Sequence, residues 1–157
     1  MDFSLDKSQR EIQKAVREFA KGEFDKDLGL DLEKERRYPA AILAKACDLG
    51  FIGIHFPEKH LGADMGLLEN CLISQELCRR DSTLGLALAF AGYGAECILR
   101  FGSGDQKDKF LPPVAEGQVF SAAAFVEPGQ GFDLRRLSTT AVRDGDDWVI
   151  NGKKSLV

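Results

Sequence analysis

Ala122-Ala-Ala-Phe-Val-Glu-Pro-Gly-Gln-Gly-Phe-Asp133 is the stretch on which the reading of this chain turns. An apolar run of strand character, Val119 to Val126, ends at Glu127-Pro128, because proline fixes φ and donates no backbone hydrogen bond. Gly129 and Gly131 then straddle Gln130 and let the backbone turn back with no side chain in the way. A loop of this kind after a strand can approach a flat or anionic ligand closely, since successive N–H groups form a small concavity. The same residues also serve as a plain tight turn. The dinucleotide fingerprint, which needs a third glycine and a following helix, is absent.

Working outward toward the C-terminus, Ser138 to Arg143 predicts a strand. Asp144-Gly145 predicts a hairpin turn into Asp147-Trp-Val-Ile150, and Asn151-Gly152 a second one. Lys153 to Val157 then reads as the start of a returning strand. A sheet left with an unpaired edge predicts that the chain is the front part of a longer protein. Toward the N-terminus the periodicity is helical. Asp6 to Gln9 has capping-box spacing, and Ile12, Val16 and Phe19 follow on one face, giving a helix over 7–24. Residues 25–37 are charged and read as irregular, with Leu28, Leu30 and Leu32 at a core edge. A second helix follows Pro39 on Ile42, Leu43, Ala46 and Leu49, with Gly50 past its end. A third runs over 67–80 with a stripe of Leu68, Cys71, Leu72, Gln75 and Cys78. A fourth, capped by Ser82 and running over 83–101, is apolar almost all round and is expected to be the most buried element. A short charged helix over 106–115 ends near Pro112-Pro113. The fold class is therefore α+β: an N-terminal helical bundle over 1–117, then an incomplete antiparallel β-domain over 118–157.

Composition narrows the function classes. With 44% apolar and 29% charged residues, the 157-residue chain has an ordinary globular balance. A net charge of −4 argues against nucleic acid or an anionic membrane as partner. The basic pairs Arg36-Arg37, Arg79-Arg80 and Arg135-Arg136 are diluted by acids. The longest nearly apolar run, Leu84 to Tyr93, is half of what a bilayer span needs. The N-terminus has no apolar signal core, and the expected compartment is the cytoplasm. Cys47, Cys71, Cys78 and Cys97 fall in helical segments without a C-x-x-C pair and read as reduced core cysteines. His55 and His60, flanking Glu58, fit no common metal-ligand spacing.

Five stretches taken in order resemble the acyl-CoA dehydrogenase family of flavoenzymes. They are Phe3-Ser-Leu-Asp-Lys-Ser-Gln9; Leu49-Gly-Phe-Ile-Gly-Ile54 with Pro57-Glu-Lys-His-Leu-Gly62; Phe101-Gly-Ser-Gly-Asp-Gln-Lys-Asp-Lys-Phe-Leu-Pro-Pro-Val-Ala-Glu-Gly117; Glu127-Pro-Gly-Gln-Gly-Phe-Asp133; and Ile150-Asn-Gly-Lys-Lys154. The fourth is similar to the family's T-E-P-x-A-G-S-D loop and the fifth to its I-N-G-x-K turn. The resemblance implies oxidation of an acyl-CoA thioester to its 2,3-enoyl form, with FAD as cofactor and electron-transfer flavoprotein or a similar acceptor as partner. It also implies a homo-oligomer and a further helical domain that supplies the carboxylate base, so no catalytic residue is assigned in this chain. Cofactor contacts are implied at Phe125, Val126, Gly131, Phe132 and Leu156, and substrate contacts at Ala87, Phe90, Tyr93 and Phe132.

Three positions depart from the family pattern. Val126 stands for the family's flavin-contacting threonine, Phe132 for a small serine near the cofactor phosphates and thioester, and Leu156 for a tryptophan that covers the flavin. The 157 residues by themselves are therefore expected to fold as a helical domain without bound FAD and without activity. The alternative is a non-catalytic, acyl-CoA dehydrogenase-like binding or structural subunit.

Overall fold

A computed structural model of the chain describes residues 4–131 and 133–157. They form two compact units, 1–121 and 122–157. Among the described residues no helix is long and apolar enough to cross a membrane.

The first unit is helical. Helix α1 (Lys7–Glu23) opens on the predicted capping box, in which Gln9 N–H donates to Asp6 at 2.8 Å and Asp6 N–H to Gln9 at 3.0 Å. Val16, Phe19 and Ala20 are its buried face. Helix α2 (Lys26–Glu35) occupies the stretch expected to be irregular. Asp25 supplies the missing start signal by accepting from the Asp27 and Leu28 amides, and only Leu32 of the three leucines is buried. On a helix Leu28 and Leu32, four residues apart, share a face, and Leu30 lies on the opposite, exposed one. Helix α3 (Ala40–Asp48) follows Pro39, and Gly50 beyond it takes φ +71°.

Helix α4 (Leu67–Arg80) has the predicted limits, but its buried face is Leu72, Ile73, Glu76 and Leu77. Leu68, Cys71 and Gln75 of the expected stripe are exposed. The discrepancy comes from Glu76: a carboxylate reads as a solvent position, yet Arg17 of α1 neutralises it inside. The expected helix over 83–101 is two helices, α5 (Ser82–Ala89) and α6 (Ala95–Phe101). Asp81, not Ser82, caps α5 by accepting from Leu84 N–H at 2.9 Å. Residues 90–94, with Gly92 and Gly94, close into short turns, among them Tyr93 N–H to Phe90 O at 3.0 Å. Leu86, Phe90 and Tyr93 are exposed, so this stretch is not the most buried of the bundle. Helix α7 (Gly104–Ala115) runs through both prolines, burying Leu111, Val114 and Ala115. Proline there forfeits only bonds to carbonyls of Asp108 and Lys109, whose residues are exposed. Of the cysteines only Cys47 is buried, and all four are free.

Apolar packing gathers α1 to α5 around Val16, Phe19, Leu43, Phe51, Ile73, Leu77, Leu84 and Leu88, with a second cluster of Phe56, Ala95, Leu111, Val114 and Ala115. Burying one such leucine is worth about 1.5–3 kcal/mol. The run 119–126 is not a strand, because its backbone bonds to a helix turn: Ser121 N–H donates to Ala91 O at 2.7 Å.

The second unit carries a two-stranded antiparallel sheet, β1 (Thr140–Asp144) and β2 (Asp147–Asn151). Thr140 pairs with Asn151 and Asp144 with Asp147, which leaves Gly145-Asp146 as the loop, with Gly145 at φ +61°. Residues 152–157 form no ladder. Gly152 lies so close to Thr139 that an added Cβ would meet its hydroxyl at 2.2 Å. The chain is thereby turned from the hairpin toward Val126, whose carbonyl accepts from Ser155 N–H at 3.0 Å.

Candidate functional site

In the second unit one carboxylate organises the loop. Glu127 is 2% exposed and accepts from five donors. Ser138 N–H lies at 2.7 Å and the Ser138 hydroxyl at 2.6 Å, both on Oε2. Thr139 N–H and Lys154 Nζ lie at 2.9 Å on Oε1, joined there by the Thr139 hydroxyl. These bonds favour the ionised form, the Ser138 hydroxyl most and Thr139 next, and hold the carboxyl far below the ordinary carboxylate range. So saturated a group has no lone pair free to take a substrate proton. Its chemistry is positional.

What it positions is the glycine loop. Glu127 bridges to Gly131, Gln130 N–H donates to Glu127 O at 3.2 Å, and Gly129 and Gly131 take φ +83° and +59°. Lys154 and Ser155 fasten the last residues to the same place, so the two stretches that carry the cofactor candidates meet at Val126-Glu127. Val126 is buried, Phe125 half-buried and Gly131 exposed, while Leu156 is 86% exposed at φ +54°. Phe132 lies outside the described residues. Sequence reasoning took Glu127 as the end of a strand and the start of a family-like stretch, with no role for its side chain. Its partners lie 11, 12 and 27 residues away, and no local spacing signals them.

The residues present fit a flavin in one specific respect. Gln130 Oε1 is buried without a hydrogen-bond partner among the described residues. An acceptor left so inside a glycine loop is suited to an N–H or hydroxyl donor from a bound group. Gln130 was not foreseen as a site residue. Only its place between the two glycines hinted at it.

Of the substrate candidates, Ala87, Phe90 and Tyr93 belong to the first unit, and Phe132 lies outside the described residues. Ala87 is half-buried, and its carbonyl accepts from the Tyr38 hydroxyl at 2.8 Å. Desolvation pushes the Tyr38 phenol up to about 12, so it stays a donor. Phe90 and Tyr93 are exposed neighbours, with ring centroids 5.4 Å apart. Ala87 is on α5 and the two aromatics are on the turn after it, so they do not share one helix face.

The family model described as acyl-CoA dehydrogenase, N-terminal domain, matches residues 6–118. A short-chain-specific acyl-CoA dehydrogenase of Clostridium acetobutylicum is 34% identical over 158 residues, covering all of this chain and 41% of the relative. Among solved structures, a glutaryl-coenzyme A dehydrogenase in complex with glutaryl-CoA superimposes with a TM-score of 0.85 at 31% identity, covering 97% of this chain and 39% of that one. An acyl-CoA dehydrogenase of Bacillus anthracis complexed with FAD gives 0.80 at 28% identity, covering 96% and 27%. The chain spans about 40% of the length of the curated relatives it matches.

Proposed function

The chain belongs to the acyl-CoA dehydrogenase family, and from that premise we propose that it is the N-terminal portion of an FAD-dependent oxidoreductase. The reaction is oxidation of an acyl-CoA thioester to the 2,3-enoyl-CoA. When bound, FAD supplies the hydride acceptor. This chain supplies a helical domain over 1–117, the start of a β-domain over 118–157, and one wall of each ligand site.

The observation that carries the reading is Glu127, which fixes the glycine loop and the 154–156 segment to one another. Phe125, Val126, Gly131, Phe132 and Leu156 are the proposed cofactor contacts, together with Gln130 Oε1 as an acceptor. Apolar side chains at Val126, which is buried, and Leu156, which is exposed, contribute shape, not hydrogen bonds. Ala87, Phe90, Tyr93 and Phe132 are the proposed substrate contacts, with apolar surface suited to an acyl chain. The base belongs to sequence outside these residues. Electrons pass to electron-transfer flavoprotein or a similar acceptor, and the assembly is a homo-oligomer in the cytoplasm.

Val126 and Phe132, which stand where the family pattern has a threonine and a serine, favour a second reading as a non-catalytic, acyl-CoA dehydrogenase-like binding or structural subunit. The two readings separate on product. The protein that carries this chain, incubated with acyl-CoA and an artificial electron acceptor, is expected to form enoyl-CoA detectable by mass spectrometry. Acyl-CoA binding without any enoyl product would leave the binding subunit as the surviving reading.

A further inference from the structure

Helix α1 carries Lys7, Arg10, Lys14, Arg17 and Lys21 at alternating spacings of three and four residues. At about 100° of turn per residue, these spacings put all five cations within a sector roughly 80° wide. The stripe they form is about 21 Å long at ~1.5 Å of rise per residue. All five residues are exposed. The buried face of the helix, Val16, Phe19 and Ala20, lies away from them. Helix α4 adds to the stripe at its side. Arg79 reaches toward the same Glu76 that Arg17 grips, and Arg80 Nη2 donates at 3.3 Å to the carbonyl of Phe24, just past the end of α1.

These charges are not balanced from within. Glu76 answers Arg17, and Glu11 lies 3.9 Å from Lys7. Arg10 donates to the Leu5 carbonyl, and neither it nor Lys14 nor Lys21 makes an ion pair among the described residues. Glu11 and Glu18 flank the stripe on one side without entering it. Like charges three and four residues apart on a helix repel one another. A chain of net charge −4 has acids enough to interrupt such a run, yet they are kept out of it. The run therefore destabilises α1 unless something acidic lies against it.

We propose that this exposed stripe, with Arg79 and Arg80 beside it, docks an acidic helix of a partner protein whose carboxylates repeat every three to four residues. A helix of that pattern laid along α1 matches cation with carboxylate turn by turn, and the stripe's field guides the encounter before contact. An anionic membrane surface needs large apolar side chains beside the cations, and none of the described residues of α1 is large, apolar and exposed. Duplex nucleic acid is disfavoured by the acidic remainder of the chain. Each exposed pair is weak, so the contact depends on the whole stripe and is screened by salt.

The experiment uses the protein that carries this chain and two fluorescent helical peptides of equal composition. In one, glutamates repeat at alternating three- and four-residue spacings; in the other, the same glutamates are spread round the helix. Fluorescence anisotropy is expected to show the striped peptide binding about tenfold tighter at low salt, the sum of several exposed ion pairs, with the difference lost at high salt. Lys14→Glu/Lys21→Glu is expected to abolish that preference, and Lys14→Glu alone to lower it. Both variants leave Arg17 on Glu76 and set opposite charges beside the remaining cations, so the melting temperature should not fall. Lys34→Glu/Lys109→Glu changes the net charge as much at exposed lysines elsewhere and is expected to leave the preference intact. Equal binding of the two peptides overturns the stripe, as does a preference that survives Lys14→Glu/Lys21→Glu or is lost equally with Lys34→Glu/Lys109→Glu. Tighter binding to phosphatidylserine vesicles or to duplex DNA than to the striped peptide overturns the protein partner. The acyl-CoA reading stands or falls separately from all of these results.

Discussion

Glu76 shows what a single residue does in this fold. Its carboxylate is 1% exposed in the middle of the α1–α4 contact, a place where an unpaired charge is not tolerated. Arg17 meets it with two hydrogen bonds, Nε at 3.0 Å and Nη2 at 2.9 Å, a fork that lysine cannot reproduce. Arg79 adds a distant charge at 4.0 Å. Arg17→Met is therefore expected to lower the melting temperature by more than Arg79→Met, and adding Glu76→Gln to Arg17→Met should recover part of the loss. Equal melting shifts for the two arginine variants would contradict this ranking. The hydrogen bonds from Arg17, foremost, hold the Glu76 carboxyl below its ordinary value of 4.5. A depressed folded-state value means that the unfolded chain binds more protons in acid. Stability from this pair is thus complete above about 4.5 and falls away as pH drops below it. Urea midpoints at neutral and acid pH check the sign: the wild type should lose more on acidification than the Arg17→Met/Glu76→Gln double variant. Neither Glu76 nor Glu127 was legible in the sequence, because the cost of burying a carboxylate is cancelled by partners far away in the chain.

At the scale of elements, what could be read was what has a local cause. The capping box at Asp6 and Gln9 and the glycine after α3 mark boundaries through their own backbone bonds, and those boundaries stand. Helix α2 went unread although its cap at Asp25 is local, whereas the break between α5 and α6 depended on a distant partner. The turn at 90–94 owes part of its hydrogen bonding to Ser121, and the run 119–126 owes its lack of a ladder to the same contact. Helix α5 lies tight against α4 at Gly85, where an added Cβ would lie 2.6 Å from the backbone of Cys78. Gly85→Ala forces the helices apart and is expected to cost about 1–3 kcal/mol in denaturant unfolding. Leu77→Ala, in the same contact but leaving space, should cost about 2–5 kcal/mol. A neutral Gly85→Ala would show that the α4–α5 contact is looser than described.

For the whole molecule, the family resemblance carried more than periodicity could. Helices followed by an antiparallel hairpin stand as expected, and the five ordered stretches named the family that the comparisons show. Glu127, in the fourth of these stretches, joins segments of the loop that are far apart in sequence. Glu127→Gln keeps the shape but weakens the hold on Lys154 and the two hydroxyls, so faster amide hydrogen exchange is expected at Ser155, which donates to Val126. Unchanged exchange there would mean that the segment is held by other contacts. The most direct test of the central claim, that this chain serves a flavin-dependent acyl-CoA oxidation, is a visible spectrum. It is recorded without oxygen on the purified protein that carries the chain, supplied with FAD, before and after acyl-CoA is added. The predicted result is a protein-bound flavin band that bleaches on addition of the thioester; a protein that takes up no flavin, or a flavin band that no acyl-CoA bleaches, would contradict it.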